Sequence, residues 1–93
     1  MHEFSIAEAL LERVRNHLPQ NTVLKSASIR TGLLRRIDPD ALQMAWQALT
    51  QPGVMENSQL ILQEVEGDDL ILMSLEVDPI VDDLEVQHAG SGR

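Results

Sequence analysis

Two hydrophobic periods alternate along this chain, and each change of period confines a segment to helix or strand. Ile6, Leu10, Val14 and Leu18 recur every fourth residue, with Ala7 and Leu11 widening the stripe, which predicts a helix with one buried face. Ser5 and Glu8 read as a capping box at its start, the Ser5 side chain serving the Glu8 amide and Glu8 reaching back to the Ser5 amide. Pro19 and Asn21 end this helix, and His17 lies in its last turn, where the dipole favours a cation. From Thr22 to Thr31 the period falls to two. Val23, Ala27 and Ile29 can share one side and Leu24, Ser26, Ser28 and Arg30 the other, as in a half-buried strand that Gly32 breaks.

Asp38-Pro39-Asp40 then restores the helical period, with Asp38 as N-cap and Pro39 at the first helical position. Leu42, Ala45, Trp46 and Leu49 form its stripe, and Gln51-Pro52-Gly53 stops it. A strand, a helix and a strand in this order predict a crossover between parallel neighbours. Ser58 to Glu66 and Leu70 to Val77 flank the short turn Gly67-Asp68-Asp69 and read as an antiparallel hairpin. The expected architecture is α+β: two helices packed on one face of a small mixed three-stranded sheet, in the order helix-strand-helix-strand-strand. Residues 1–78 make a single domain in this reading, and residues 79–93 form an acidic, partly flexible tail around Asp82, Asp83 and Glu85.

Composition narrows the function classes. A chain of 93 residues holds one core, and with Phe4 and Trp46 as the only aromatics that core must be aliphatic. A net charge of -8 argues against nucleic acid, because no excess of basic residues exists to displace counterions from phosphates. The absence of cysteine excludes disulfides, thiolate zinc sites, iron–sulfur clusters and cysteine nucleophiles. No apolar run approaches a membrane span and no secretory leader is visible, so the expected location is cytoplasmic, away from membranes. No phosphate loop, nucleophile motif or HExxH is present, and Asp38 and Asp40 are explained by helix capping, so no enzymatic activity is expected.

One feature does carry chemistry. Met1-His2-Glu3 places a free α-amine, two backbone amides and an imidazole on one short stretch, and four nitrogens so placed can close around a metal ion in a plane. Planar nitrogen coordination suits Ni(II) or Cu(II) rather than tetrahedral zinc. The bland reading of a second-position histidine is an incidental solvated side chain. Arg30, Arg35 and Arg36 cluster at a strand end and the following loop, either as a solvated loop or as a docking patch for an acidic partner. Met44, Met55 and Met73 are expected as core fillers.

Three separated segments together resemble the HypA/HybF family of hydrogenase nickel-incorporation proteins. Met1-His2-Glu3-Phe4-Ser5-Ile6 resembles the family's opening. Arg30-Thr31-Gly32-Leu33-Leu34 and Ile37-Asp38-Pro39-Asp40-Ala41-Leu42 resemble its RIGEL and VDPELL segments. Gly67 to Val77 (GDDLILMSLEV) resembles its last strand. The family carries a zinc domain of two Cys-x-x-Cys pairs between the last two strands, but here Glu64-Val65-Glu66 runs straight into Gly67. Leu33 also stands where the family has Glu, and a tail follows Val77.

The resemblance implies an accessory protein of NiFe-hydrogenase maturation with no zinc site, holding Ni(II) through Met1, His2 and Glu3. It further implies a hydrogenase large-subunit precursor and a nickel-loading GTPase as partners. The alternative is an adaptor that binds a hydrogenase subunit or assembly factor without moving metal. A short loop in place of a whole domain is also compatible with strand swapping into a homodimer.

Overall fold

The computed structural model describes residues 2–80. Helix α1 (His2–His17) leads into β1 (Thr22–Gly32), followed by a 3-10 turn (Leu33–Arg35), α2 (Pro39–Thr50), β2 (Gln59–Val65) and β3 (Leu70–Pro79). The three strands form one mixed sheet in the order β2-β1-β3, so the expected α+β architecture is the observed one. β1 and β2 are parallel, joined by α2 as the crossover. Both helices lie on one face, α1 over β3 and α2 over β2, and they pack against each other.

The expected hairpin is not there. β2 and β3 do not pair; β1 lies between them, parallel to the first and antiparallel to the second. Burial gives the reason. In β1, Leu24, Ala27 and Ile29 are almost completely buried, whereas β2 and β3 alternate half-buried with exposed residues. β1 takes the centre, where neighbours on both sides cover its inward Leu24, Ala27 and Ile29, and the alternating strands take the edges. The connection from β2 to β3 therefore passes over the end of β1 rather than forming a tight turn beside it.

Gly32 permits that passage. A Cβ at Gly32 would fall on the carbonyl of Gly67 and the Cα of Asp68. In its absence the connection closes onto β1: the Gly32 amide donates to Asp69 O (2.7 Å), the Leu34 amide to Gly67 O (2.8 Å), and Arg35 Nε to Asp68 O (2.6 Å). Gly67 itself turns with φ of 99°, which glycine adopts at little cost.

Two further expectations change. The strict alternation along β1 is interrupted by a register shift between Leu24 and Ser26, which turns Leu24 inward beside Ala27 and Ile29 and leaves Val23 38% exposed. Helix α1 begins at His2, so Ser5 and Glu8 lie exposed inside it and form no cap. The buried stripe is otherwise as expected, Ile6, Ala7, Leu10, Leu11 and Val14 facing inward with Leu18 packed against them.

Trp46 closes the core. It is fully buried on α2, and its Nε1 donates to Ser58 Oγ (2.8 Å), whose hydroxyl donates in turn to Met55 O (2.6 Å). Met55 is the one methionine of the expected three that fills the core; Met44 and Met73 are 70% and 46% exposed. At the end of β3 the Ile80 amide donates to Asn21 O (2.9 Å), and the acidic residues expected in the tail, Asp82, Asp83 and Glu85, lie outside the described residues.

Candidate metal centre

The terminus that carries the metal-binding pattern sits at the open end of α1. Met1 lies outside the described residues; His2 and Glu3 form the first turn of the helix. The amides of a helix's first turn have no intrahelical acceptor, so the backbone nitrogens of His2 and Glu3 are not committed to the helix ladder. The His2 side chain is 52% exposed, and its Nδ1 stands 3.8 Å from Glu3 Oε2. Two of the three expected metal residues are thus together on one accessible turn.

Glu3 is the better-anchored of the pair. Its Oε2 accepts a hydrogen bond from the backbone amide of Asp38 (3.0 Å), which ties the start of α1 to the start of α2. Asp38 is the N-cap expected from the sequence, its Oδ1 accepting from the amides of Asp40 (3.0 Å) and Ala41 (3.3 Å). The Asp38 amide holds the Glu3 carboxyl below its ordinary 4.5; its own amide and His2 act in the same direction, and partial burial opposes them. Because the folded value is depressed, the stability that Glu3 contributes is present above about pH 4.5 and is lost as pH falls through the lowered value. A Glu3→Gln variant should accordingly show a shallower fall in melting temperature on acidification than the parent, with the two curves separating above pH 4.5.

Beside this terminus lies a cavity of about 290 Å³, lined by Glu3, Phe4, Ala41, Met44 and Ala45. Its exposed Phe4 and Met44 give the candidate metal-binding end an apolar neighbour. Periodicity could not show this contact, because it depends on the crossing of α1 and α2. Nor could it show the Glu3–Asp38 bond, which spans 35 residues.

The other candidate residues are dispersed among different environments. Arg30 lies on the helix-free face of β1, between Gln63 and Ile71, with its Nε buried and without a partner among the described residues. Arg35 is taken up in holding Asp68, and Arg36, exposed, adopts a left-handed conformation at the end of the 3-10 turn. His17, in the last turn of α1, donates from Nδ1 to Arg13 O (2.8 Å). Among the described residues no three His, Cys, Asp or Glu side chains converge to hold a metal ion. No described helix is long and apolar enough to cross a membrane.

Comparison with known proteins adds to this geometry. The family model described as "Hydrogenase/urease nickel incorporation, metallochaperone, hypA" matches residues 1–70. The chain is 31% identical over 70 residues to the hydrogenase maturation factor HypA of Rhizobium leguminosarum bv. viciae, covering 73% of this chain and 62% of that protein. It is 34% identical over 67 residues to the HypA of Methanocella arvoryzae, covering 70% and 59%. Against the HypA of Streptomyces avermitilis it is 30% identical over 70 residues, covering 72% and 53%. The chain thus spans about three-fifths of the length of the first two relatives. Since the match starts at the N-terminal tripeptide and continues through both helices into the first residue of β3, the chain belongs to the hydrogenase/urease nickel-incorporation metallochaperone family, HypA.

Proposed function

We propose that this domain carries Ni(II) as cargo at its N-terminus, in a plane of four nitrogens: the Met1 amine, the His2 amide and imidazole, and the Glu3 amide. The observation that carries the reading is the position of His2 and Glu3 in the first turn of α1, where backbone amides lack intrahelical acceptors and the imidazole is exposed. Nitrogen donors in a plane select nickel or copper over zinc. The Glu3 carboxylate, fixed by the Asp38 amide, acts from beside the donors rather than as a ligand, setting where the first turn stands relative to α2. Release then requires only that a competing ligand set displace a few exposed nitrogens, which suits a carrier rather than a catalyst.

The receiving partner in this reading is a hydrogenase large-subunit precursor, served together with a nickel-loading GTPase. These 93 residues contain no cysteine, so none of them supplies a thiolate ligand to a zinc site of the family's kind. Protons compete with nickel for the amine and imidazole, and coordination of the amides releases protons, so affinity should fall as pH falls.

Calorimetric titration of nickel into the untagged chain tests this reading against two variants, His2→Ala and one with an extra residue before Met1. Each variant loses a nitrogen donor or its placement, and both should bind at least about a hundredfold more weakly than the parent. Equal, weak binding by all three leaves the adaptor reading. One observation favours that second reading on its own account: among the described residues Arg30 Nε has no partner at a helix-free sheet face where Ile61, Ile71 and Met73 are exposed.

A further inference from the structure

β3 occupies one edge of the sheet, and among the described residues nothing pairs with its outer side. An edge strand so placed presents a row of free amides and carbonyls that a further strand can use. Natural edges are blunted by charge, proline or a covering element, yet from Leu70 to Leu75 (LILMSL) this one has neither charge nor proline. It is bordered instead by α1, and between them runs a groove made of two adjoining cavities of about 360 and 110 Å³, which share Arg13 and Leu72.

The groove is chemically unlike the rest of the chain. Fifteen of the 93 residues are acidic, but none of them lines it. Its polar walls are Arg13, His17 and Ser74, and neither Arg13 nor His17 forms an ion pair among the described residues. Its floor is apolar, with Leu72, Leu75 and Val77 half-buried. The two acidic side chains of β3 are engaged toward β1: Glu76 accepts from Ser26 Oγ (3.2 Å) and Asp78 pairs with Lys25 (3.9 Å). A basic rim over an apolar floor beside a free strand edge is complementary to an extended acidic chain.

We propose that the groove between α1 and the free edge of β3 receives an extended, acidic segment of a partner protein as a fourth strand of the sheet. Main-chain hydrogen bonds to β3 supply the affinity, and alternate side chains supply the choice of partner. Residues of the segment that face α1 lay their stems on Leu72 and Leu75 and bring carboxylates to Arg13 and His17. Residues in between turn to the helix-free face and extend the exposed apolar strip of Ile71 and Met73. The surface is independent of the N-terminal metal site, and either reading can fail without the other.

The probe is a capped octapeptide of alternating valine and glutamate, added to the isotope-labelled full chain and followed by amide chemical shifts. Saturable binding is expected in the roughly micromolar-to-millimolar range, with shifts confined to α1 and β3 and slower amide exchange along β3. A lysine-for-glutamate peptide should not bind. A peptide N-methylated at the positions facing β3 should also fail, because it cannot complete the ladder. Arg13→Glu, at an exposed position, should weaken the glutamate peptide about tenfold while leaving nickel titration unchanged. The proposal is overturned if the N-methylated peptide binds as well as the parent, or if shifts map to the Arg30 face. Absence of saturable binding would overturn it too, as would β3 protection that grows with protein concentration alone, which would assign the edge to a second copy of this chain.

Discussion

Replacing Trp46 with alanine is expected to lower the free energy of unfolding by about 3–5 kcal/mol. This indole is fully buried at the junction of α2 with β2, in a core that is otherwise aliphatic. Alanine removes its apolar surface and leaves a cavity that the surrounding leucines can fill only in part. It also removes the donor that holds Ser58 Oγ, and so loosens the loop from Met55 to Ser58 that leads into β2. Small domains have about 5–15 kcal/mol in all, so the variant should sit close to its unfolding threshold at room temperature. Trp46→Phe keeps much of the volume but not the N–H, and should lose about 1–3 kcal/mol. Denaturant titration followed by circular dichroism measures both, since the chain has no other tryptophan to report fluorescence. A loss below about 1 kcal/mol for the alanine variant would contradict the packing of the two helices over this side chain.

The second large effect is at Gly32. Alanine there places a methyl group against the Gly67 carbonyl, a backbone atom that cannot swing aside as a side chain can. The β2–β3 connection must lift, and the three hydrogen bonds from Gly32, Leu34 and Arg35 to residues 67–69 weaken together. A loss of about 2–3 kcal/mol is expected, combining overpacking with unsatisfied backbone groups. Gly67→Ala is the informative contrast. Nothing lies near its Cβ, so only the positive φ of 99° resists, at about 1 kcal/mol. Faster exchange of the Leu34 amide in the Gly32 variant would locate the damage. Equal losses at the two glycines would contradict the close crossing over β1.

These two residues also show what could and could not be read from the sequence. The helical stripes around Leu10 and Trp46, and the Asp38-Pro39 start, are local signals, and the structure follows them. The strand order is not local. Alternation in β2 and β3 is equally compatible with a hairpin and with two edges flanking β1, and only the deeper burial of Leu24, Ala27 and Ile29 decides between them. Gly32 was legible as a break, but not as the point where a second backbone passes. Ser5 and Glu8 satisfied a local capping rule, while the start of α1 is tied to α2 by a Glu3–Asp38 bond that no spacing rule detects. At the candidate site, His2 and its amide neighbours were legible because their chemistry lies within one tripeptide. Their setting against α2 and the Phe4–Met44 cavity was not, because it comes from a helix crossing.

The proposed nickel site consists of backbone and imidazole nitrogens at the N-terminus. Proton NMR of the full, untagged chain loaded with one equivalent of Ni(II) tests it most directly. Four nitrogens in a plane impose a diamagnetic Ni(II) centre, so a sharp spectrum is expected, with shifts at His2 and Glu3 that are lost in His2→Ala. A paramagnetic, six-coordinate nickel that broadens carboxylate-bearing residues elsewhere, unchanged by His2→Ala, would contradict it.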